Sequence, residues 1–242
     1  MNNSMEDILN SLGFGSPSTE KELSNFRKFY SDYEFKSNPN CIDPEKIWES
    51  IHAPKITGKD YHKRTVLAAE IVFQLHEEWS LGHLKLQKLI YLCQNSIGMA
   101  LHTQFLKQAM GPYDPKLMRS IDSQFLKNKW FNFNKYSKQK YLPLENVGGH
   151  KEWYERYFSD ELEDIQMLID LFRKMKTYQI ELIATLYDCW KETLKEKHQF
   201  DSETIISKFY AWSEEKQKFT ADQINNAINW MRDNRIYPIT DN

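Results

Sequence analysis

Seven histidines, three cysteines and many carboxylates give this 242-residue chain the raw material for metal or nucleophile chemistry, so their spacing is the first test. A zinc site on a helix needs two ligands one turn apart. His52, His62, His76, His83, His102, His150 and His198 show no H-E-x-x-H and no paired spacing. His76-Glu77-Glu78 comes nearest, but the position one turn from His76 is Ser80, which leaves a helix-end histidine. No G-x-S-x-G elbow is present to expose a serine nucleophile. A phosphate-cradling loop would require G-x-x-x-x-G-K-[ST], and Gly58-Lys59 lacks both the earlier glycine and the following hydroxyl. Glu214-Glu215-Lys216 has the E-x-K lettering of a metal-dependent nuclease, yet it falls in a polar stretch between helices rather than at a strand edge. Pairs such as Glu161 and Asp164 fall on solvent faces. The sequence therefore predicts no catalytic residue, no metal ligand and no cofactor. It points to a binding module rather than an enzyme.

Charge is distributed unevenly. Between Leu84 and Tyr141 stand ten cations and two acids, Asp114 and Asp122, a net +8 within a chain whose total is −2. Nucleic acid is one partner such a segment could take. Lys116, Arg119, Ser120, Ser123 and Lys127 share one helix face by spacing, and Lys135, Lys138 and Lys140 follow in a hairpin. Helix, turn, helix and basic hairpin is the order of a winged helix-turn-helix, with the first set toward a groove and the second toward phosphates. The alternative is a basic half that docks on an acidic half or partner.

The elements that must position these residues are mostly helices. Thr19 to Glu22 is a capping box, and Asp43-Pro44 pairs an N-cap with a proline at the first helical position. Residues 1–55 are expected to be an acidic helical segment, with a linker over 53–58 before a main body spanning 60–240. An amphipathic helix is predicted from Asp60 to Trp79, with Val66, Ala69, Phe73 and His76 on one face. The next carries Leu86, Leu89, Ile90, Cys93, Ile97 and Leu101 on one stripe, with Lys85 and Lys88 on another face. Gly111 to Pro115 is a turn ending in a second N-cap and proline pair. It opens a helix with Leu117, Ile121 and Phe125 inward. Over 129–144 the period changes to two: Phe131 and Phe133, then Leu142 and Leu144, alternate with polar residues and predict a β-hairpin. Stripes headed by Leu162, Ile180, Ile205 and Ile224 predict further helices, the last two opened by Asp201 and by the capping box Thr220 to Gln223. The fold class expected is mainly α: a helical domain with a small hairpin and winged-helix-like features.

Cys41, Cys93 and Cys189 are widely spaced and odd in number, and two of them fall on apolar helix faces, which predicts buried thiols and a reducing, cytoplasmic setting. Met1 to Gly15 lacks the basic and apolar stretches of a signal peptide, and no apolar run approaches the roughly 20 residues of a membrane span.

Lys85-Leu86-Gln87-Lys88-Leu89-Ile90-Tyr91, followed some twenty residues later by Gly111-Pro112-Tyr113-Asp114-Pro115, resembles the Panacea, or SocA-like antitoxin, domain of bacteria and phages. The likeness runs from about His83 through Trp130. With Trp212-Ser213-Glu214 and the final helix to Pro238, it is also similar to a domain appended to some type I restriction specificity subunits. Tyr113-Asp114 within the turn departs from the commonest form. The resemblance implies a helical domain with a small sheet that acts through protein contacts, with a toxin, a protease or a restriction subunit as partner. It singles out Lys85, Lys88, Tyr91 and the turn Gly111, Pro112, Tyr113, Asp114 and Pro115 as contact residues. The same letters also have a purely architectural reading, with Leu86, Leu89 and Ile90 as core and Gly111-Pro112 shaping a tight turn.

Overall fold

The chain divides into Met1–Lys55 and Ile56–Asn242. The structure, a computed structural model, describes residues 57–239, all within the second unit. The expected helices after Thr19 and Asp43 and the linker before Thr57 lie outside the described residues.

Helix α1 spans Gly58–Leu75 and starts where Thr57 can close a capping box. Its hydroxyl accepts from the Asp60 amide at 3.2 Å, and the Asp60 carboxylate accepts from the Thr57 amide at 2.9 Å, so two of the orphan donors at the helix start are satisfied. Helix α2, His83–Ser96, is entered through Gly82 and is buried without interruption from Lys85 to Cys93. A helix buried on every side lies inside the fold rather than on it. Around α2 pack α1, a short β-hairpin, and two later helices.

That hairpin pairs β1, Leu106–Gln108, with β2, Gly111–Tyr113, in antiparallel register with Gln108 opposite Gly111. Asp114 then caps α3, Pro115–Asn128, its Oδ1 accepting from the amides of Lys116 at 2.9 Å and Leu117 at 3.1 Å. Leu117, Ile121 and Phe125 point inward as the spacing predicts. At the far end Lys129 takes a left-handed conformation (φ 59°), and the Trp130 amide donates back to the Phe125 carbonyl at 3.0 Å, which turns the chain directly into a strand.

Strands β3, Phe131–Phe133, and β4, Tyr141–Pro143, form the hairpin expected within 129–144. The register puts Phe133 opposite Tyr141, so Tyr141, fully buried, carries the inward face of β4. Leu142 and Leu144, expected there, are only half-buried. Then follow α4, Lys151–Tyr157; α5, Leu162–Phe172; α6, Thr177–Lys197; α7, Ser202–Tyr210; a 3₁₀ turn, Glu214–Lys218; and α8, Ala221–Asp233. The domain is mainly α with two small hairpins. Among the described residues no helix is long and apolar enough to cross a membrane.

One architectural expectation is corrected. A winged helix-turn-helix places its two central helices against each other across a short turn. Here residues 97–114, with a hairpin of their own, separate α2 from α3. Helix α3 packs mainly on α1 and β3, and the two hairpins are separate two-stranded sheets. Only the helix-then-hairpin order of α3, β3 and β4 remains of that plan.

Two ion-pair clusters built on buried carboxylates tie elements of the packing together. Glu70 on α1 accepts from His150 at 2.8 Å and from Lys151 at 2.9 Å, joining α1 to α4. Burial alone would raise its carboxyl, but those donors and Gln74 outweigh it and hold the group at about 2. Glu181 on α6 meets Lys216 at 2.6 Å, both fully buried, and Lys218 at 3.2 Å, which fastens the 3₁₀ turn onto the long helix. The E-x-K lettering at 214–216 is therefore a structural ion pair's cation with its neighbours.

Candidate nucleic-acid interface

The residues singled out by the family resemblance meet one another inside the domain. Lys85 Nζ, 0 % exposed, donates to Ser80 Oγ at 2.9 Å and to the carbonyls of Arg173 at 2.9 Å and Met175 at 2.8 Å. Three acceptors match the three hydrogens of an ammonium, and two of them belong to the chain leaving α5. Gln87 makes a paired exchange with Asp114: its Nε2 donates to the Asp114 carbonyl at 2.6 Å, and its Oε1 accepts from the Asp114 amide at 2.7 Å. Lys88, also 0 % exposed, donates to the Pro112 carbonyl. Tyr91 reaches Asp188 on α6 at 2.6 Å.

Gly111 has a conformational reason to be glycine: its φ is +89°, and a Cβ there would stand 2.5 Å from Thr185 Oγ1 and 3.2 Å from Lys88 Nζ. Trp212 and Ser213 complete the brace, donating to the carbonyls of Gln108 at 2.7 Å and Ala109 at 2.9 Å. Thus the α2 letters hold the Gly111–Asp114 turn from one side, and the Trp-Ser pair holds the β1–β2 turn from the other.

Lys85 and Lys88, singled out as partner contacts, share a face of α2 that is buried. Burial brings the Lys85 amine down to about 8 and, with Lys216 nearby, the Lys88 amine down to about 7. Tyr91, Gly111, Pro112 and Asp114 are buried too; Tyr113 is half-buried, and Pro115 opens α3.

The second set lies outside. Lys116, Arg119, Ser123 and Lys127 are exposed and Ser120 half-buried, along the face of α3 opposite its core residues. The sets separate because a 3.6-residue period puts 116, 119, 120, 123 and 127 within about 100° of arc. Lys135 and Lys138 are exposed in the loop of the β3–β4 hairpin, which leaves from the C-terminal end of that stripe. Lys140 is half-buried, its amine donating to the Lys135 carbonyl at 2.6 Å, and Lys135 stands 4.8 Å from the ring centre of Tyr136, itself 85 % exposed. Of the two acids of the segment, Asp114 caps α3, and Asp122 is half-buried with its Oδ2 2.8 Å from His83 Nε2. The His83 ring also stacks on Phe133 at 3.6 Å, so one side chain of α2 touches both α3 and the hairpin.

Sequence reasoning missed a pocket of about 410 Å³ at the N-terminal end of this stripe, between α1, residues 104–106 and α3. Lys116 and Ser120 belong to its wall as well as to the stripe. Tyr61 and Arg64 come from α1, more than fifty residues away in sequence, and no local pattern joins them to α3. Cys93 and Cys189 are buried free thiols, pushed up to about 12 by burial; Cys41 lies outside the described residues. Among the described residues no group of three or more His, Cys, Asp or Glu could hold a metal ion. No family model matches the chain, and no curated protein or solved structure matches it.

Proposed function

We propose that this chain is a non-catalytic binding module whose working surface is the outer face of α3 with the β3–β4 hairpin, and that its ligand is nucleic acid. One observation carries the reading: Lys116, Lys127, Lys135 and Lys138 are exposed along the stripe and hairpin loop, and of the segment's two acids Asp114 is occupied in capping α3. A cation set along a helix and a flanking hairpin suits a phosphate backbone, where lysines position the ligand and hydroxyls such as Ser120 and Ser123 supply neutral hydrogen bonds. Four phosphate contacts would make log K fall with log salt at a slope of about −3 to −4. Fluorescence anisotropy of a labelled duplex at two salt concentrations measures it. Absence of binding at low salt would remove the proposal.

A second reading, a protein partner in a bacterial or phage conflict system, is favoured by a different patch. Trp79, 62 % exposed, and Tyr178, 44 % exposed, flank the Thr177-to-Ser80 hydrogen bond of 3.3 Å where the α1–α2 loop meets α6. Exposed aromatics of this kind anchor protein interfaces. The resemblance implies a toxin, a protease or a restriction subunit as the partner, without marking out this patch. Co-purification from the native host with and without Trp79→Ala separates this reading from the first, because Trp79 lies outside the cationic stripe.

A further inference from the structure

We infer that the pocket at the start of α3 takes an unpaired nucleobase, so that the nucleic acid this domain binds carries a single-stranded tail or end. The inference rests on the nucleic-acid reading above and narrows it to a substrate class. Its volume, about 410 Å³, is that of a small-ligand site. Leu106, Leu117 and Ile121 give it an apolar floor, which suits a flat ring rather than a hydrated phosphate alone.

Polar side chains of Arg64, Thr65, Gln104 and Asp114 share the pocket wall, Asp114 already engaged in capping α3. Arg64 is 4 % exposed, and it lines the pocket although it is a cation. Its Nε and Nη2 donate to the carbonyls of Leu101 and His102, which fixes the guanidinium at the pocket wall. Its Nη1 is not among the sealed atoms left without a partner, so it stays open to an acceptor such as a base carbonyl or ring nitrogen. Tyr61, 46 % exposed at the rim, holds its ring 5.5 Å from the same guanidinium and offers a face for stacking.

Continuity with the stripe decides between a nucleotide and an unrelated flat molecule. Lys116 and Ser120 stand in the pocket wall and on the cationic face together, so a strand whose phosphates follow α3 toward its N-terminus arrives at the opening. A base still paired in a duplex could not enter, whereas an unpaired one could.

The test compares two labelled oligonucleotides with the full chain by fluorescence anisotropy: a blunt duplex and the same duplex with a three-nucleotide tail. The tailed form is expected to bind about tenfold more tightly. Tyr61→Ala should remove that advantage and leave blunt-duplex affinity unchanged, and Tyr61→Phe should keep it. A 2-aminopurine in the tail should change its emission on binding the native chain and not on binding Tyr61→Ala. Equal affinity for the two oligonucleotides, or an advantage that survives Tyr61→Ala, overturns the pocket and leaves the cationic face standing. Failure of both oligonucleotides to bind overturns the two together.

Discussion

Helices α2 and α3 carry the same residue type to opposite ends. Lys85 and Lys88 on α2 are sealed in the domain and spend their hydrogens on backbone carbonyls, whereas Lys116 and Lys127 on α3 stand in water. The difference is position in the fold. Helix α2 is wrapped by α1, β2, α5 and α6, so any polar residue on it must find an internal acceptor. Helix α3 packs its core residues on one side and carries the exposed Lys116, Ser123 and Lys127 on the other. A lysine is thus an internal brace in one helix and an exposed cation in the other, and lettering alone does not separate the two.

The largest effect should come from breaking the brace at its tightest point. Gly111→Val puts a branched side chain at φ +89° and drives its Cβ toward Thr185 and Lys88. We expect a loss of about 4 kcal/mol or more in urea unfolding, or failure to fold. Next comes Lys88→Ala, which orphans the Pro112 carbonyl and leaves a cavity, for about 2–4 kcal/mol.

The same lysines give a pH signature. The folded chain releases their protons at about 7 and about 8, and the unfolded chain only near 10.5. Between those values the unfolded state holds more protons, so stability rises with pH from neutrality toward 10.5. Lys88→Met should flatten that rise, and an unchanged slope would mean that the amine is not held in a dry interior.

The smallest effect on stability belongs to α3 and its hairpin. Lys127→Ala, Lys135→Ala and Lys138→Ala should each change unfolding free energy by less than about 0.5 kcal/mol. Each should also lower the salt slope of duplex binding by about 0.7–0.9. Loss of stability without change in slope would place these lysines with their counterparts on α2 and erase the contrast.

Several features were legible in the sequence because their physics is local. The Asp114-Pro115 start of α3, the Thr220 capping box, the Asp201 cap and the hairpin over 131–143 each depend on residues within a few positions of one another. The β1–β2 hairpin was not legible, since Leu106–Gln108 shows no alternation and is held through Trp212 and Ser213 a hundred residues later. Nor was α4, whose seven residues are tied to α1 by Glu70 with His150 and Lys151.

By itself the sequence determined the helical class, the caps, and which face of α3 is cationic, because periodicity and capping act within a turn or two of chain. Tertiary structure alone decided that α2 is interior, that its lysines and Gln87 clasp the Gly111–Asp114 turn, and that Tyr61 and Arg64 meet the start of α3 in a pocket. The physical reason is that burial and hydrogen-bond partnership depend on elements brought together from far apart, and a residue's letter carries no record of what will be packed against it.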